Sequence, residues 1–367
     1  MNIEYLEAID TLNSVQPTRT VAELDEAHAE AWQHFVARHP DATLYHTLPW
    51  RAVIAQVFGH RPIYLFCKDQ QGIRGILPMF LVRWPVLGAK LISMPYDIGS
   101  GGALADDEAA ERMLVEEAAR RAEQLRVNYL ELRYAAPRPA LDGLALTPSA
   151  PVIISEMDLT TEEEVWAGVN KDHRKSLRKA ENRGVSVRMA HTLDDYKTFY
   201  GLYLQVFRDF GTPPYSIDYF VALWQQLHAS GAVRLFLAYV DDRCVGGLQL
   251  FCWQKNLVSK FAACLPEAVP LRAYHALYWE AIRYGLQHGY QKLSWGTSAQ
   301  NQTGLIDFKE RWGAQSRPAV LYDLAVRKEA PDLEKYYDSE NLPQRLWKKL
   351  PIPATRLLGG LVNRWYC

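Results

Sequence analysis

The sequence predicts an α/β protein with mixed (α+β) sheets, built from two halves that repeat one order of elements. The second half shows this order best. It has a hairpin of the apolar runs Cys244–Trp253 and Asn256–Cys264, the helical pattern Ala273–Gly289 and the strand Gln291–Trp295. Period-two and helical spacing of the apolar residues distinguish these elements. A hairpin, a helix and a strand that ends in a polar loop commonly form a ligand cleft.

The first half repeats this order, which is the second observation behind the predicted fold. A hairpin covers 62–84, a strand Lys90–Pro95, a helix Asp107–Leu125 and a last strand 127–134. Sliding one half over the other matches apolar residues: Leu77 with Leu248, Phe80 with Phe251, Leu114 with Leu277, Ala118 with Ala281 and Leu130 with Leu293. Self-similarity of this kind indicates two copies of one structural unit.

The length of the chain is the third observation, since 367 residues exceed what one hydrophobic core usually supports. We place the first half at residues 1–150, the second half at 151–330 and a tail at 331–367. The proline-rich segment Ala136–Pro151 is the predicted linker. Two helices are predicted before each hairpin: Glu23–His39 and Leu48–Gly59 in the first half, Leu193–Phe210 and Ser216–Gly231 in the second.

The composition argues against several classes of protein. A hydrophobic content of 49% excludes a disordered chain, and a net charge of −1 gives no overall attraction to nucleic acid. The ten histidines contain no HExxH motif, and neither GxGxxG nor GxxxxGK[ST] occurs, so metal, dinucleotide and P-loop sites have little support. Five cysteines without a CxxC pair, no signal-peptide pattern and no apolar run near ~18 residues predict a cytoplasmic protein.

The segment NKDHRKSLRKAENR predicts a strongly basic helix. Lys171, Arg174, Lys175 and Arg178 follow i, i+3, i+4, i+7, so they share one face, and no acid lies on that stripe. Rigidly spaced guanidinium groups suit a phosphate or a carboxylate. A solvated helix face has the same pattern, and both interpretations stay open.

The polar loop GTSAQNQTG and the helix after it are the second candidate site. Ser298 and Asn301 offer hydrogen-bonding groups at the end of a strand, where open α/β sheets place ligands. In the helix, Lys309 would set a positive charge against a developing oxyanion, with Asp307 close to it. An ordinary polar loop and a surface lysine are the alternatives.

Two more loops complete the set of candidates. The glycine-rich loop Asp97–Asp106 lets the backbone approach a ligand closely, and its start, from Asp97, would complete the cleft from the first half. A flexible surface turn is the alternative for this loop. GTPPY, at Gly211–Tyr215, is a stiff turn that presents the aromatic side chain of Tyr215.

The order of these motifs resembles Fem-like proteins of the GNAT (N-acyltransferase) superfamily. The pattern W-x4-K-x2-R-x3-R occurs as Trp166, Lys171, Arg174 and Arg178. It is followed by FGTPPY, VGGLQLF, WEAIRYGLQHGYQKLSWG and TGLIDFKERWGA, so the likeness covers nearly the whole chain. Each motif alone is loose, and their order is specific. The sequence is most similar to the Fem-related acyltransferases found with exopolysaccharide and exosortase systems.

The resemblance implies two GNAT-like halves and the transfer of an acyl or aminoacyl group to an amine of a cell-envelope or exopolysaccharide precursor. It implies that Lys309 is the reaction-centre lysine of the Fem F-K pattern. Amine attack on a thioester or ester also needs a base, and Asp307, Asp209 and His173 are candidates that no spacing marks. No metal is implied. The expected substrate-binding residues, from the motifs and the loops together, are Trp166, Lys171, Arg174, Arg178, Tyr215, Asp97, Ser298 and Asn301.

The resemblance also bears on the acyl donor. In GNAT enzymes acyl-CoA lies as a cosubstrate in a V between the two central strands, with no tightly bound cofactor, whereas Fem-type enzymes use aminoacyl-tRNA. Here the segment in place of the GNAT pyrophosphate loop, LPEAVPLRAYHA, has no glycine, and no helical arm for tRNA is visible. The donor therefore stays open between acyl-CoA, acyl-carrier protein and aminoacyl-tRNA.

Three other functions remain as alternatives. A lipid N-acyltransferase of the sphingoid-base type would share the fold and need an apolar tunnel for its acyl chain. A non-catalytic protein that binds phosphorylated sugars would keep the basic stripe without a base near the amine. A nucleic-acid-binding module would need a basic face that extends well beyond one helix.

The tail has a composition of its own. From Asn341 to Cys367 it carries five basic residues and no acid, among many leucine and tryptophan residues. Pro351 and Pro353 divide it into pieces too short to span a bilayer. Such pieces suit the surface of an anionic membrane, where the protein would meet lipid-linked amine substrates. Packing across the sheet of the second half is the alternative.

Overall fold

The computed structural model describes residues 18–84, 88–97, 101–331 and 342–364. Its strands are β1 Thr20–Glu23, β2 Arg61–Asp69, β3 Gly72–Trp84, β4 Gly88–Ser93, β5 Leu104–Ala105, β6 Tyr129–Tyr134, β7 Thr147–Asp158, β8 Ser186–Met189, β9 Val233–Val240, β10 Arg243–Trp253, β11 Asn256–Cys264, β12 Lys292–Ala299 and β13 Gln315–Ala325. These strands form one mixed sheet in the order β1-β2-β3-β4-β6-β13-β7-β12-β11-β10-β9-β8, and β5 pairs with β3.

Helices cover both faces of this sheet. They are α1 Ala29–Arg38, α2 Leu48–Phe58, α3 Glu108–Gln124, α4 Glu162–Gly168, α5 Lys171–Asn182, α6 Leu193–Phe210, α7 Ile217–Leu223, α8 Ala273–Gln287, α9 Thr303–Glu310, α10 Leu342–Trp347 and α11 Ile352–Asn363. Local sequence fixes several of their ends. The Thr192 side chain accepts a hydrogen bond from the Asp195 main chain at the start of α6, and Gly211 ends that helix with a positive φ of 78°.

The two halves repeat the same arrangement, as the sequence predicts. Each contains one parallel strand pair, β4 with β6 and β11 with β12, crossed by a helix, α3 or α8. The matched residues occupy equivalent positions. Leu77, Leu114, Ala118 and Leu130 lie in the core beneath α3, and Leu248, Leu277, Ala281 and Leu293 lie in the core beneath α8. The predicted α/β fold with mixed strands and two tandem halves is confirmed.

The largest buried cluster joins the halves to each other. Trp32, Trp50 and Phe58 from α1 and α2 pack in it with aromatic residues of α6 and α7, and with Phe251 and Phe261 of the second-half sheet. Burial of this much aromatic surface stabilises the docking of the two halves. Phe80 and Phe251, matched by the repeat, both lie in this cluster.

β13 ties the two half-sheets into one. It pairs with β6 of the first half on one side and with β7 on the other, both antiparallel. β7 begins at Thr147 because these pairs satisfy its main-chain groups, so the end of the predicted linker is strand. The predicted boundary between residues 150 and 151 lies inside β7, and the division into domains stays a prediction.

Two more predicted elements have other bounds in the structure. The helix predicted from Glu23 begins only at Ala29, because Thr20–Glu23 pairs with β2 as the edge strand β1. The strand predicted to end at Trp295 continues to Ala299, because Thr297 and Ser298 pair with β7. In both cases pairing with a neighbouring strand makes the segment a strand, although its local sequence favours another structure.

The described part of the tail is helical. α11 packs on α6, and α10 precedes it. Residues 332–341 and 365–367 of the predicted tail lie outside the described residues. Within the described ranges, every helix falls short of the length and apolar character that crossing a membrane would require.

Candidate active site

The parallel strands β11 and β12 separate after a short paired stretch. Their register runs from Asn256 with Lys292 to Val258 with Ser294. On β11 the next residues hold a bulge, since Ser259 and Phe261 pair with neighbouring residues of β10 and leave Lys260 as the extra residue. On β12, Trp295 and Gly296 form an irregularity against β7. We call the gap beyond Val258 and Ser294 the split.

The two strands stay close at the start of the split. Gly296 has a positive φ of 68°, and a Cβ built on it would lie 3.2 Å from the carbonyl oxygen of Ser259. A larger residue would suffer both the backbone strain and this contact. Glycine therefore lets β12 turn away from β11 at this point.

Lys309 holds β12 on the α8 side of the split. Its Nζ donates hydrogen bonds to Ser298 Oγ at 2.8 Å, to the Gly296 carbonyl at 3.0 Å and to the Thr297 carbonyl at 3.3 Å. These bonds use all three ammonium protons. The side chain is buried, and that burial lowers the pKa of Lys309 to about 8. Lys309 and Ser298 therefore lie together beside the split, as the sequence predicts.

His173 lies in a cluster of aromatic rings that includes Phe308, the residue before Lys309. Its ring contacts His275, Phe308 and Trp312 at centroid distances of 4.7, 5.0 and 4.8 Å. Its Nε2 is 3.1 Å from the Phe308 carbonyl oxygen. Burial lowers the pKa of His173, and burial next to His173 lowers that of His275 to about 3, so both rings stay neutral. We call these four residues the aromatic cluster.

The other residues predicted on this side lie nearer to solvent. Asp307 is exposed and forms an ion pair with Arg311 at 2.8 Å. Asn301 is exposed in the turn after β12. Lys171 and Arg178 are exposed on α5, whereas Arg174 is half-buried and lies 6.0 Å from the centroid of the Trp166 ring. The Trp166 ring contacts Trp279 of α8 at 4.9 Å.

Asp97 lies on the opposite face of the split, where the two halves meet. Lys260 leaves the β11 bulge toward the first half and donates to Asp97 Oδ2 at 2.9 Å and to the Tyr96 carbonyl at 2.7 Å. Tyr45 donates its hydroxyl proton to the same carboxylate oxygen. Burial, then the charge of Asp97, raises the pKa of the Tyr45 hydroxyl well above its usual range. We call Tyr45, Asp97 and Lys260 the bridging cluster.

The loop that carries Asp97 is held by buried bonds. Arg133 Nη1 donates to the carbonyls of Met94 at 3.0 Å and Asp97 at 2.6 Å. Met94 and Tyr96 have positive φ values of 53° and 72°, a conformation that non-glycine residues adopt at a cost. These bonds hold a strained main chain that aims the Asp97 side chain at the second half.

Tyr215 of the GTPPY turn packs beside this loop. Its ring lies 5.7 Å from that of Tyr96 and 5.5 Å from that of Phe261, and its main-chain N–H donates to the Tyr203 hydroxyl at 3.1 Å. The two sequence-predicted residues Asp97 and Tyr215 thus come together, on the other side of the sheet from Lys309 and His173.

A cleft between the halves leads to the closed end of the split. It encloses about 360 Å³ and is lined by Asn256–Val258, Ser294, Lys292, the Gly101–Leu104 segment and the pair Glu156 and Arg317. Arg317 Nη2 and Glu156 Oε2 are 2.8 Å apart. A polar molecule can therefore approach the paired end of β11 and β12 from the side of the first half.

The structure adds residues that the sequence analysis missed. Lys260 stands alone as a charge in the apolar strand NLVSKFAAC, and that isolation is a signal that could have marked it. Tyr45 carries no such local signal. Among the described residues no group of histidine, cysteine, aspartate and glutamate side chains is arranged to hold a metal ion.

The segment that replaces the GNAT pyrophosphate loop has a defined structure. Pro266–Ala268 forms a 3-10 turn, and Arg272 with φ 70° precedes α8 in the left-handed conformation. Arginine thus takes a conformation that glycine usually supplies.

Comparisons with known proteins agree with this architecture. Residues 167–310 match the model of the acetyltransferase (GNAT) domain. FemX is a similar solved structure, with a TM-score of 0.70 at 14% identity, over 84% of this chain and 98% of that one. L-PGS from Bacillus licheniformis has a TM-score of 0.57 at 12% identity, over 94% of this chain and 98% of that one.

A tandem GNAT protein from the clavulanic acid biosynthesis pathway is also similar, with a TM-score of 0.53 at 12% identity, over 86% of this chain and 100% of that one. Curated protein sequences yield no match. At these identities the solved structures inform on the fold alone. The chain contains a GNAT acyltransferase domain and has a Fem-like fold, which confirms the predicted resemblance and supports a transferase.

Proposed function

We propose that this GNAT-domain chain is an N-acyltransferase or aminoacyltransferase. It moves an acyl group from acyl-CoA, acyl-carrier protein or aminoacyl-tRNA to an amine of a cell-envelope or exopolysaccharide precursor. The observation that carries the proposal is the split between β11 and β12, within the residues that match the GNAT domain. No tightly bound cofactor is needed for such a transfer.

The chemistry suits the geometry of the split. The acceptor amine first loses its extra proton to become neutral, and its nitrogen then attacks the carbonyl carbon. The carbon–sulfur or carbon–oxygen bond to the donor breaks, and the leaving group takes up the proton that the nitrogen loses as the amide forms. Beyond Val258, residues of β11 do not pair with β12 in the described strands, so main-chain N–H groups there can reach a developing oxyanion. We place the reacting carbonyl at this point.

Asp97 is proposed as the group that binds the amine of the acceptor. Its carboxylate already accepts the Lys260 ammonium, which has the charge and shape of a protonated amine. An acceptor that enters through the cleft between the halves would replace Lys260 on Asp97. The released Lys260 then lies next to the carbonyl, where its charge stabilises the oxyanion.

Lys309 and His173 are proposed to act on the opposite face. With all three protons bound to Ser298 and to β12 carbonyls, Lys309 positions the strand that forms one wall of the split. His173 remains a candidate base through its neutral ring, and Asp307 through its carboxylate.

The exposed side of α5 is proposed to bind phosphate groups of the donor or of the precursor. Lys171, Arg174 and Arg178 carry the charge, and Trp166 supports the Arg174 guanidinium. Changing Arg174 and Arg178 together to Gln should weaken substrate binding while the melting temperature holds. Unchanged affinity would leave a solvated helix face as the explanation.

Asn301 is proposed as a further polar contact, and Tyr215 as the wall of the acceptor site.

We further propose that the protein works in the cytoplasm, peripherally at the inner face of the membrane, on small or lipid-linked amines. The support is the basic, acid-free composition of residues 341–367. Lipid-linked precursors are fixed to a surface, so a transferase held at that surface meets them at high local concentration.

Product formation tests the proposal directly. The full chain is incubated with each donor class and an amine-bearing precursor, and the amide product is followed by mass spectrometry. We expect one donor class to give product, and Lys260→Met to lower turnover by about a hundredfold. Lys197→Met, a half-exposed lysine of α6 paired with Asp194, is the matched control.

Two results would contradict the proposal. Absence of product from all three donor classes, with binding of a phosphorylated sugar in a thermal-shift screen, would favour the non-catalytic alternative. Product formed equally well by Lys260→Met and by the control would place the reaction away from the split.

A further inference from the structure

The helix α11 has two different faces. Thr355, Gly359 and Asn363 are buried on one face, at the spacing of successive turns. A Cβ on Gly359 would lie 2.5 Å from the carbonyl oxygen of Pro214, and Asn363 Nδ2 donates to the Pro213 carbonyl at 2.7 Å. This face is fixed against the GTPPY turn and α6, so one side of the helix packs on the protein, on these elements and not across the sheet as the alternative supposed.

The other face of α11 exposes leucine side chains. Leu357 is 70% exposed and Leu361 55%, and the preceding helix α10 carries a further leucine of this kind, Leu346. Seven large hydrophobic side chains are exposed in the described chain, and five of them lie at the end of α6, on α10 or on α11: Phe210, Leu346, Leu357, Leu358 and Leu361. These elements are neighbours, since Gly211 lies beside Gln344 of α10 and α11 packs on α6. We call these five the apolar patch. Isolated exposed leucines are ordinary, whereas five on neighbouring elements indicate an interaction surface.

The helices that carry most of the apolar patch are also basic. Residues 342–364 contain Arg345, Lys348, Lys349, Arg356 and Arg364 and no acid. Of the acids in the neighbouring segments, Asp209 is paired with Arg208 at 2.6 Å, and Asp218 is exposed on α7. The surface therefore combines apolar side chains with an excess of positive charge.

We propose that the apolar patch docks on an anionic lipid bilayer, with the axis of α11 along the membrane surface. Leucine and phenylalanine insert among the acyl chains, and the arginine and lysine side chains contact lipid phosphates. The positive charge favours a bilayer as the partner, because an anionic bilayer surface presents many phosphates beside apolar acyl chains. The inference rests on the proposed membrane location and names the surface that produces it.

The C-terminal end of α11 is hydrogen-bonded to α2 and to the loop that carries Asp97. Arg364 Nε donates to the Phe58 carbonyl at 2.9 Å, and the Tyr96 hydroxyl donates to the Arg364 carbonyl at 3.4 Å. Tyr96 directly precedes Asp97 in the bridging cluster. A bilayer bound at the apolar patch would thus lie on the side of the molecule where we place the acceptor amine.

Cosedimentation with vesicles tests this inference. Full-length protein is mixed with phosphatidylcholine vesicles that contain phosphatidylglycerol, and with vesicles of phosphatidylcholine alone. We expect binding to the anionic vesicles that falls as salt rises. Leu357→Ser with Leu361→Ser should lower the partition coefficient by about tenfold or more at an unchanged melting temperature, because both side chains are exposed in the folded protein. Arg345→Glu with Lys349→Glu should lower it by a similar factor.

The matched control is Val269→Ser, an exposed apolar residue outside the apolar patch, which should bind vesicles like the wild type. Equal binding by the double leucine variant and the wild type would overturn the inference. So would a wild-type dimer in size-exclusion chromatography that the leucine changes convert to monomer, since the patch would then join two copies. Vesicle binding needs no substrate, so its failure leaves product formation on soluble amines intact, and a failed transfer assay leaves vesicle binding intact.

Discussion

The two halves contain the same parallel strand pair, and only the second half leaves it open. In the first half, β4 and β6 pair at Leu91 with Leu130 and at Ile92 with Glu131. Beyond this point Arg133 closes the gap: its main-chain N–H donates to Ser93 Oγ at 2.9 Å, and its guanidinium bonds the loop after β4. In the second half, Lys309 bonds to β12 alone.

This difference gives the two copies of one unit separate tasks. Closing the first gap fixes the loop after β4, and that loop projects Asp97 across the interface to Lys260. In the proposed function, the first half thus contributes a carboxylate to a reaction centre in the second half. Duplication supplies the fold twice, and a few buried polar bonds decide which copy keeps its strand pair open.

The largest effect is expected where the first gap is closed. Arg133 is 3% exposed and forms an ion pair with Glu131 at 2.6 Å. Arg133→Met should lower the free energy of unfolding by about 3–5 kcal/mol, because Glu131 would keep a buried charge without its partner. Urea denaturation measures the change. Arg120→Met, a half-exposed arginine paired with Glu117, should change the free energy of unfolding far less than Arg133→Met does. Equal losses in the two variants would show that Arg133 does not hold the gap.

The glycine-rich loop of the first half packs against β6 beside the closed gap, and a second variant tests that packing. A Cβ on Gly102 would lie 2.1 Å from the buried Tyr134 ring. Gly102→Ala should therefore lower the free energy of unfolding by about 2–3 kcal/mol. In Gly201→Ala the new methyl group meets no atom within 4 Å, so that helix variant should be as stable as the wild type or more so. A fully stable Gly102→Ala protein would mean that the loop packs less tightly than described.

Lys309 should show a smaller loss of stability with a specific effect on turnover. Lys309→Met leaves two β12 carbonyls and Ser298 without their donor, at a cost of about 1–3 kcal/mol. As a positioning residue it should lower kcat more than it raises KM. The pKa of Lys309 is lowered to about 8 in the folded state, so the wild type gains stability as pH rises from about 8 toward the usual lysine pKa. Lys309→Met should lack this gain, and a wild-type pH profile in the variant would contradict the burial argument.

The smallest effect is expected at Asp323 of β13, which lies opposite Glu131. Burial, with the charge of Glu131, raises its pKa to about 7, against the opposing charges of Arg133 and Lys90. The folded state therefore holds this proton when the unfolded chain has lost it, and stability falls as pH rises through about 4 to 7. Asp323→Asn should flatten the loss and stabilise the protein by about 1–2 kcal/mol at pH about 8. Parallel stability curves for both proteins would refute this.

The sequence predicts the repeat well because the apolar pattern of each helix and strand is a local property. Leu114 and Leu277, or Leu130 and Leu293, are found by period and register alone, and the structure buries each pair under equivalent helices. The F-K motif also led to Lys309 beside the split. The sequence could not predict that the Lys309 ammonium donates its hydrogen bonds to β12, since those partners depend on the irregularity at Gly296.

Asp97 was predicted from the sequence, whereas its partners in the bridging cluster were beyond sequence reasoning for a different reason. Tyr45, Asp97 and Lys260 are far apart along the chain, and only the docking of the two halves brings them together. β13 was missed as the strand between the halves, because a central strand that pairs with both half-sheets is a long-range event. Polarity misplaced the end of β12 for the same reason: Ser298 reads as loop, and its pairing with Ile153 makes it strand.

A double-mutant cycle on Asp97 and Lys260 tests the central claim most directly. The catalytic efficiency kcat/KM is measured for Asp97→Asn, Lys260→Met and the double variant, with melting temperatures as the check on folding. If both residues act as one unit at the split, each single change lowers kcat/KM by about a hundredfold and the double change lowers it little further. Losses that simply multiply, or folded variants with wild-type turnover, would contradict a reaction centre shared between the two halves.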